Sequence, residues 1–315
     1  MMKKPLVCLV ALFAFALSGW SVTDEEIATT LALFPAGQDV AVEYTAVGQA
    51  TLEAAIETLE TALGITVLFD HADENAYMTL EIDFDKKAWV NALSRGYYTL
   101  GDVFLKNDDA KQDVFVRGQY WGLKSLRMNP QFAQVERDSE SFIEAVRLET
   151  DVAALFWTYG NWSRKDEYDI LGAVFRNDPP KLEALIERAL ELDPTYAIDA
   201  PYRALAAFWG ALPPMPLIEY RQNLPRALSY LCPVIDEPDY CTECTGCPIR
   251  DDVDDYFENR LIFVEYYLME KELWDEAARV LQSILDDPIG DRYPLYNAFC
   301  AERAAELLAE VNEQR

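Results

Sequence analysis

The chain of 315 residues is 51% hydrophobic and 26% charged, which suits a globular protein with a sizeable core, and its 13 glycines are too few to favour a turn-rich all-β fold. Its 55 acidic residues outnumber its 27 lysines and arginines, so the formal net charge is −28. A field of that sign repels nucleic-acid phosphates and anionic lipid headgroups, and we expect no nucleic-acid partner.

The first residues have the pattern of an export signal. Lys3 and Lys4 form a basic start, and an apolar run too short to span a bilayer comfortably follows them. Gly19 and Ser21 are the small residues that a cleavage site requires. We predict that residues 1–21 are a signal peptide and that residues 22–315 form a single helical-repeat domain.

Helical patterns begin directly after the signal. Thr23 and Glu26 have the spacing of a capping box. A second apolar stripe, which stops at Gly64, consists of Leu52, Ile56, Leu59 and Leu63. The segments 65–69 and 78–84 have the local pattern of strands, although each fits a buried loop or part of a helix equally well.

A helix pair is predicted between Lys86 and Pro130. The apolar face of its first helix consists of Leu93, Tyr97, Leu100 and Phe104. After a polar turn at 107–109, the face of the second consists of Phe115, Gly118, Gly122 and Leu126. Because the two glycines are four residues apart, we expect another backbone to approach them closely. The pair ends at Asn129-Pro130.

Similar stripes recur through the rest of the chain and end repeatedly at an Asp-Pro or a related sequence. They are formed by Leu182, Leu185, Ala189 and Leu192; Leu205, Phe208 and Leu212; Leu224, Leu228 and Leu231; Leu261, Val264 and Leu268; Trp274, Ala278, Leu281 and Leu285; and Cys300, Ala304, Leu307 and Val311. Proline disfavours the helical conformation of the preceding residue, so each such sequence ends a helix. The stops at Pro130, Pro194, Pro238 and Pro288 lie 44 to 64 residues apart, whereas a regular tetratricopeptide array repeats about every 34. The predicted fold is all-α, an irregular tetratricopeptide-like stack of antiparallel helix pairs.

Five cysteines remain after removal of the signal, in a Cys-rich insertion near residues 232–250 and in the last helix. They are Cys232, Cys241, Cys244, Cys247 and Cys300. Export favours disulfides, and an odd number leaves one thiol free. Two alternatives stay open, which are a four-thiolate zinc or iron–sulfur site and redox exchange through Cys244 and Cys247.

Known catalytic patterns are missing from the sequence. His71 is the only histidine, so it alone could serve a Ser-His-Asp or Cys-His site, and we interpret it as a solvated loop residue. No GxSxG, P-loop, GxGxxG or HExxH motif occurs. The acidic run 251–259 lacks the central glycine of a calcium loop and is interpreted as the start of a helix. We expect no enzymatic activity, no cofactor and no metal.

Large aromatic side chains are concentrated in "ALFWTYGNW", residues 154–162. One interpretation is packing between helices, and the other is the lining of an apolar channel or pocket. Gly160 favours the second because it can interrupt the helix and let rings face a cavity.

Several stretches in order resemble the T-component family of tripartite ATP-independent periplasmic (TRAP) transporters. They are "YYTLGDVFL" with "FVRGQYWGLKSLRMNPQF", "DVAALFWTYGNW", "LIERALELDPTYAIDAPYRALAAFWGALP" and "LYNAFCAERAAELL". Phe156 stands where the family has tyrosine, and Ala200 where it commonly has glycine. Trp20 stands in the place of the lipobox cysteine of the usual lipoprotein members, so we expect no lipid anchor.

The resemblance implies a tetratricopeptide-like periplasmic protein with a pore or cleft. It also implies a homo-trimer that docks the transporter's substrate-binding protein and handles a small hydrophobic organic ligand. The candidate ligand-binding residues are Leu155, Phe156, Trp157, Trp162, Arg203 and Asn297. Two competing hypotheses are an exported helical scaffold that has no ligand of its own, and an enzyme with an unrecognised carboxylate or thiol site.

Overall fold

The computed structural model describes residues 22–214, 219–241 and 252–315. These ranges contain α-helices and turns and no β-strand, which confirms the all-α prediction. In chain order the helices are α1 Asp24–Leu31, α2 Ala46–Ala62, α3 Glu74–Met78, α4 Lys87–Thr99, α5 Asp108–Arg127, α6 Pro130–Ser139, α7 Phe142–Val146, α8 Val152–Glu167, α9 Ile170–Phe175, α10 Pro179–Leu192, α11 Tyr196–Ala211, α12 Leu224–Leu231, α13 Phe257–Phe263, α14 Trp274–Asp286 and α15 Pro294–Gln314. π-helical turns at Leu100–Phe104 and Val264–Leu268 extend α4 and α13.

The two segments with strand patterns do not form strands. Residues 65–69 make a turn, and Val67 and Leu68 are almost fully exposed at its surface. Residues 78–84 leave α3 in an irregular path. A strand needs a neighbour for its backbone hydrogen bonds, and the surrounding helices provide none.

Helix ends follow the local signals. Thr23 and Glu26 form the predicted capping box at the start of α1. Helix α10 ends at Leu192, where Asp193 has extended backbone angles before Pro194. Pro130 has a double role, because it follows the end of α5 and is also the first residue of α6, whose N-terminus is capped by Asn129.

Helix α5 lies directly against α8 through its two glycines. A methyl group on Gly118 would collide with Asn161, and one on Gly122 with Thr158. As the residue numbers rise along α5 they fall along α8, so the two helices are antiparallel. The predicted close approach therefore exists, and the partner is α8.

The last helix returns to the beginning of the chain. The backbone N–H of Tyr296 donates to Asp39 Oδ2 at 3.1 Å. Tyr44 donates to Glu302 at 3.0 Å, and its ring packs on Phe299. The helical array is thus closed, with the N-terminal residues and α15 side by side, and its interior lies between α4, α8, α11 and α13.

Within the described residues, the cysteines agree with the disulfide interpretation. Cys232 and Cys241 form a disulfide with their Cα atoms 5.4 Å apart, and Cys300 is a free, buried thiol in α15. Cys244 and Cys247 lie outside the described residues, as do the signal peptide and Trp20. Helix α12 ends at Leu231, so Pro238 lies in the disulfide loop and does not end the helix.

Candidate functional site

An apolar cavity of about 200 Å³ lies among helices α8 to α11 and α13. Its wall includes five aromatic rings, which belong to Tyr98, Phe156, Tyr159, Phe208 and Tyr266. Well-packed cores contain few voids larger than a water molecule, so a cavity of this size is a distinctive feature.

The cavity exists because α11 presents small side chains to α8. Ala200, Ala204, Ala207 and Ala211 all line it, at spacings of four, three and four residues. That spacing places them on one face of a helix. Larger residues there would fill the volume that the alanines leave open.

A second cavity, of about 40 Å³, lies on the other side of the same wall. Both cavities are lined by Tyr98, Phe156, Ala200, Arg203 and Glu258. The two cavities therefore adjoin, and the side chains of these five residues are what separates them.

Arg203 is the charged centre of this shared wall and is 3% exposed. Its Nε lies 2.9 Å from Glu258 Oε2, and its Nη1 donates to Asn259 Oδ1 at 3.0 Å. Burial opposes the charge, but the Glu258 carboxylate more than offsets this, and the pKa of Arg203 is raised.

Arg203 also holds an unusual backbone turn at the start of α11. Ala197, Ile198 and Asp199 all have left-handed angles, with φ of 46°, 63° and 61°. The carbonyl oxygens of Ala197 and Ile198 accept hydrogen bonds from Arg203. Left-handed backbone costs L-residues roughly 1–2 kcal/mol each, so the turn depends on such contacts.

Arg95 and Asp39 are at the far side of the small cavity. The Arg95 guanidinium donates to the backbone carbonyls of Pro35 and Gln38, while burial lowers its pKa. Burial raises the pKa of Asp39 to about 6, although the hydrogen bond from the N–H of Tyr296 opposes that shift.

A second arginine, Arg164, lines the large cavity. Its guanidinium lies 2.8 Å from Asp102 and 3.1 Å from Glu167. Burial opposes the charge on Arg164, but the two carboxylates more than offset it, and its pKa is raised well above the usual value.

The structure places only three of the six candidate ligand-binding residues at the cavities. Phe156 and Arg203 line both cavities, and Trp157 lines the small one, where its Nε1 donates to Tyr196. The other three line neither. Leu155 is fully buried among core residues, Trp162 packs on Phe142, and Asn297 bonds the backbone of Phe257, Asp255 and Ile289.

Sequence analysis missed Tyr98, Glu258 and the alanine face of α11. Tyr98 and Glu258 come from helices far apart in sequence and had no local signal. The alanine spacing was visible in the sequence, although it indicates only a helix face and not what the face meets.

The described residues contain no other obvious chemical site. His71 is partly buried, and its Nδ1 lies 2.8 Å from the hydroxyl of Tyr77. No group of three or more His, Cys, Asp or Glu side chains in the described ranges could hold a metal ion. None of the helices described has both the length and the apolar character to cross a membrane.

Fold and site together define an all-helical protein whose main internal feature, in the part of the chain described, is an apolar cavity with ion-paired arginines in its wall. A family model, TRAP transporter T-component, matches residues 102–216 and confirms the resemblance predicted from the sequence. The T-component family consists of extracytoplasmic accessory components of transporters, and it is not an enzyme family. No curated protein matches the chain.

The matched residues cover less than half of the chain, but they include most of the cavity wall. They run from the π-helical turn after α4 to just beyond α11. Tyr98, Glu258, Ile262 and Tyr266 line the cavity from outside the match.

Proposed function

We propose that the protein is a non-enzymatic periplasmic accessory component of a TRAP-type uptake system that binds the substrate-binding protein and passes it a small hydrophobic organic ligand. The observation that carries this proposal is the apolar cavity of about 200 Å³. The T-component match over the residues that build the cavity supports the transporter context.

The two adjoining cavities suggest a route for the ligand. The large cavity reaches α9, whose Ile170, Leu171 and Phe175 are 45%, 63% and 88% exposed. Apolar side chains at that edge would favour entry of an apolar molecule. Beyond the shared wall, the small cavity continues towards Asp39 and Arg95. We propose that the ligand passes when the Phe156 and Arg203 side chains move apart.

A helical scaffold without a ligand is the second candidate. In such a scaffold, larger side chains on α11 would fill this volume and bury more apolar surface. A scaffold has no reason to keep that volume open with a row of alanines on α11, whereas a ligand-binding protein does.

A variant that fills the cavity tests whether the cavity binds a ligand. Ala207 lines it, and Ala207→Leu adds a branched side chain to its wall. We expect N-phenyl-1-naphthylamine, an uncharged fluorescent probe, to bind the wild type and to bind this variant about tenfold more weakly, without a lower melting temperature.

The matched control is Ala54→Leu on the exposed face of α2, which should bind the probe as the wild type does. Failure of the wild type to bind the probe, or equal binding by Ala207→Leu, would contradict the ligand cavity.

The partner and the assembly need separate measurements. Titration of the purified substrate-binding protein of the same transporter should give a saturable complex, and its absence would remove that partner. The homo-trimer rests on the family resemblance, and light scattering would detect it as three times the mass of the mature chain.

A further inference from the structure

Two hydroxyl groups in the wall of the large cavity have no hydrogen-bond acceptor within the described residues. They belong to Tyr98 of α4 and Tyr266 of the π-helical turn that extends α13, and together they form the hydroxyl pair. Both tyrosines lie inside the helical array, yet neither is fully buried, because part of each side chain faces the cavity. Donors inside a protein are normally paired, so a molecule in the cavity must supply the acceptor.

The remaining hydroxyl groups of the wall already donate within the protein. The Tyr159 hydroxyl donates to the carbonyl of Ala204 at 2.9 Å, and the Ser163 hydroxyl donates to the carbonyl of Gly160 at 3.0 Å. Among the hydroxyls of the described wall, the hydroxyl pair alone is therefore left to donate to a ligand.

Arg164 brings the members of the hydroxyl pair together. Its guanidinium hydrogen-bonds to the oxygens of both, and its ion pairs with Asp102 at 2.8 Å and with Glu167 at 3.1 Å hold it in place. Burial raises the pKa of both hydroxyls, and Arg164 only partly opposes that shift. The pair therefore stays protonated at neutral pH, and both hydrogens are available beside one guanidinium.

Each tyrosine of the hydroxyl pair packs against a glycine of a neighbouring helix. A methyl group on Gly160 would lie 3.0 Å from the Tyr98 ring, and one on Gly210 would lie 2.6 Å from the backbone oxygen of Tyr266. Contrary to the expectation from the sequence, Gly160 does not interrupt α8 and instead makes room for a tyrosine of the cavity wall. Tyr266 lies in a π-helical turn, and such turns are frequent at functional sites. Close helix contacts thus fix both rings at the edge of the cavity.

We infer that Tyr98 and Tyr266 are specificity-determining residues, and that the large cavity takes a molecule with an apolar body and an oxygen that accepts hydrogen bonds from both hydroxyls. A carbonyl and a carboxylate share this acceptor chemistry. A cavity of about 150 Å³ holds benzene, so about 200 Å³ accommodates one ring with a short chain. Both tyrosines lie outside the residues that the family model matches. This inference rests on the proposed function, because it names the ligand class of the same cavity.

Three probes of equal size separate the contribution of the acceptor from that of the apolar body. They are 4-phenylbutan-2-one, 3-phenylpropanoate and 3-methylbutylbenzene, which are a ketone, a carboxylate and a hydrocarbon with the same number of non-hydrogen atoms. The affinity of each is measured by displacement of N-phenyl-1-naphthylamine from the cavity. The ratio of acceptor to hydrocarbon affinity then reports the hydrogen bonds, because the apolar contacts are common to all three probes.

Two variants remove the hydroxyls and keep the rings, Tyr98→Phe and Tyr266→Phe. We expect each to bind the ketone about fivefold more weakly than the wild type, or the propanoate at least about tenfold more weakly, because a hydrogen bond to a charged group is stronger. Affinity for the hydrocarbon should stay within about twofold, which a merely structural loss would not preserve. Tyr120→Phe in α5 is the matched control, since Tyr120 lines neither cavity and its variant should leave the ratios unchanged.

The outcomes also identify the form of the acceptor. A loss of affinity confined to the ketone supports the inference with a neutral carbonyl ligand, and a loss for the propanoate supports it with a carboxylate. Unchanged ratios of acceptor to hydrocarbon affinity in the folded Phe variants overturn it, and either variant suffices if the other does not fold. If N-phenyl-1-naphthylamine binds and neither acceptor probe displaces it, the inference fails while the proposed function stands. If no probe binds at all, the proposed function fails and the inference fails with it.

Discussion

Several buried charged side chains in the described part of the chain have a defined partner of opposite charge. Lys87 in α4 is the clearest example: its Nζ lies 3.0 Å from Glu149 Oε2, and the two side chains are 9% and 2% exposed. Glu149 also accepts the N–H groups of Thr150 and Asp151 through Oε1. The pair therefore joins the start of α4 to the loop that precedes α8.

Removing one member of this pair should be costly. We expect Lys87→Met to lower the free energy of unfolding by about 3–5 kcal/mol, because Glu149 would remain charged and buried without a cation. Chemical denaturation measures the change. The control is Lys106→Met, since Lys106 and Glu302 form an ion pair with side chains 63% and 47% exposed, and there we expect less than about 1 kcal/mol. Similar costs for the two variants would contradict the role given to burial.

Asp39 should make stability depend on pH. Burial raises its pKa from an ordinary value of 3.8 to about 6. Between those values the folded protein keeps a proton that the unfolded chain has released, so this group contributes less stability as the pH rises through that window. Asp39→Asn should therefore gain about 3 kcal/mol relative to the wild type between pH 4 and pH 7.

The comparison is made by denaturation at each pH, so that effects common to both proteins cancel. The control is Asp83→Asn, at an exposed position before α4, because it removes the same charge without removing a buried carboxyl group. A constant difference between Asp39→Asn and the wild type would show that Asp39 does not titrate in this range.

At the scale of elements, a strained turn at the start of α11 lies beside the wall between the two cavities. This left-handed turn carries the carbonyls that Arg203 binds, and the same arginine separates the two cavities. Helices α5 and α8 pack together without a strained turn. Gly118 and Gly122 have no side chain, and this allows the close contact.

Glycine should relieve the strain of this turn. Ala197 has φ of 46°, and we expect Ala197→Gly to raise the free energy of unfolding by about 1 kcal/mol, because glycine adopts this conformation without the steric penalty. Ala184→Gly in the regular helix α10 is the matched control and should lower it by about 1 kcal/mol. Thermal and chemical denaturation should agree on the opposite signs, and a loss of stability in both variants would contradict the left-handed turn.

At the scale of the whole molecule, the closed array and the disulfide restrict the chain in different places. The contacts of α15 with Asp39 and Tyr44 join its two ends, while Cys232 and Cys241 link α12 to the following loop. Cys300 lies inside the closed array, where burial raises the pKa of its thiol well above the usual value.

The thiol count follows from this arrangement. If Cys244 and Cys247 also pair, residues 22–315 purified from an oxidising compartment should have no reactive thiol when native and about one, Cys300, in denaturant without reductant. A thiol-specific reagent measures both values. Three thiols in denaturant would mean that Cys244 and Cys247 are unpaired, and stoichiometric zinc or iron would favour the metal-site alternative.

Sequence alone determined where many of the longer helices lie and where some of them end. Apolar residues at helical spacing, the capping box at Thr23 and the stop at Asp193-Pro194 are local properties, because each involves backbone groups only a few residues apart. The pair of glycines in α5 similarly indicated a close contact, although not that α8 would be the partner.

Only the tertiary structure decided which of these helices enclose a cavity. Tyr98 and Glu258 are 160 residues apart in sequence and line the same wall. Aromatic residues at 154–162 could pack or line a channel, and the structure shows that they divide, with Phe156 at the cavities and Trp162 in contact with Phe142. The physical reason is that a helix stripe specifies a buried face, whereas the volume left between faces depends on the sizes of side chains that meet across the closed array.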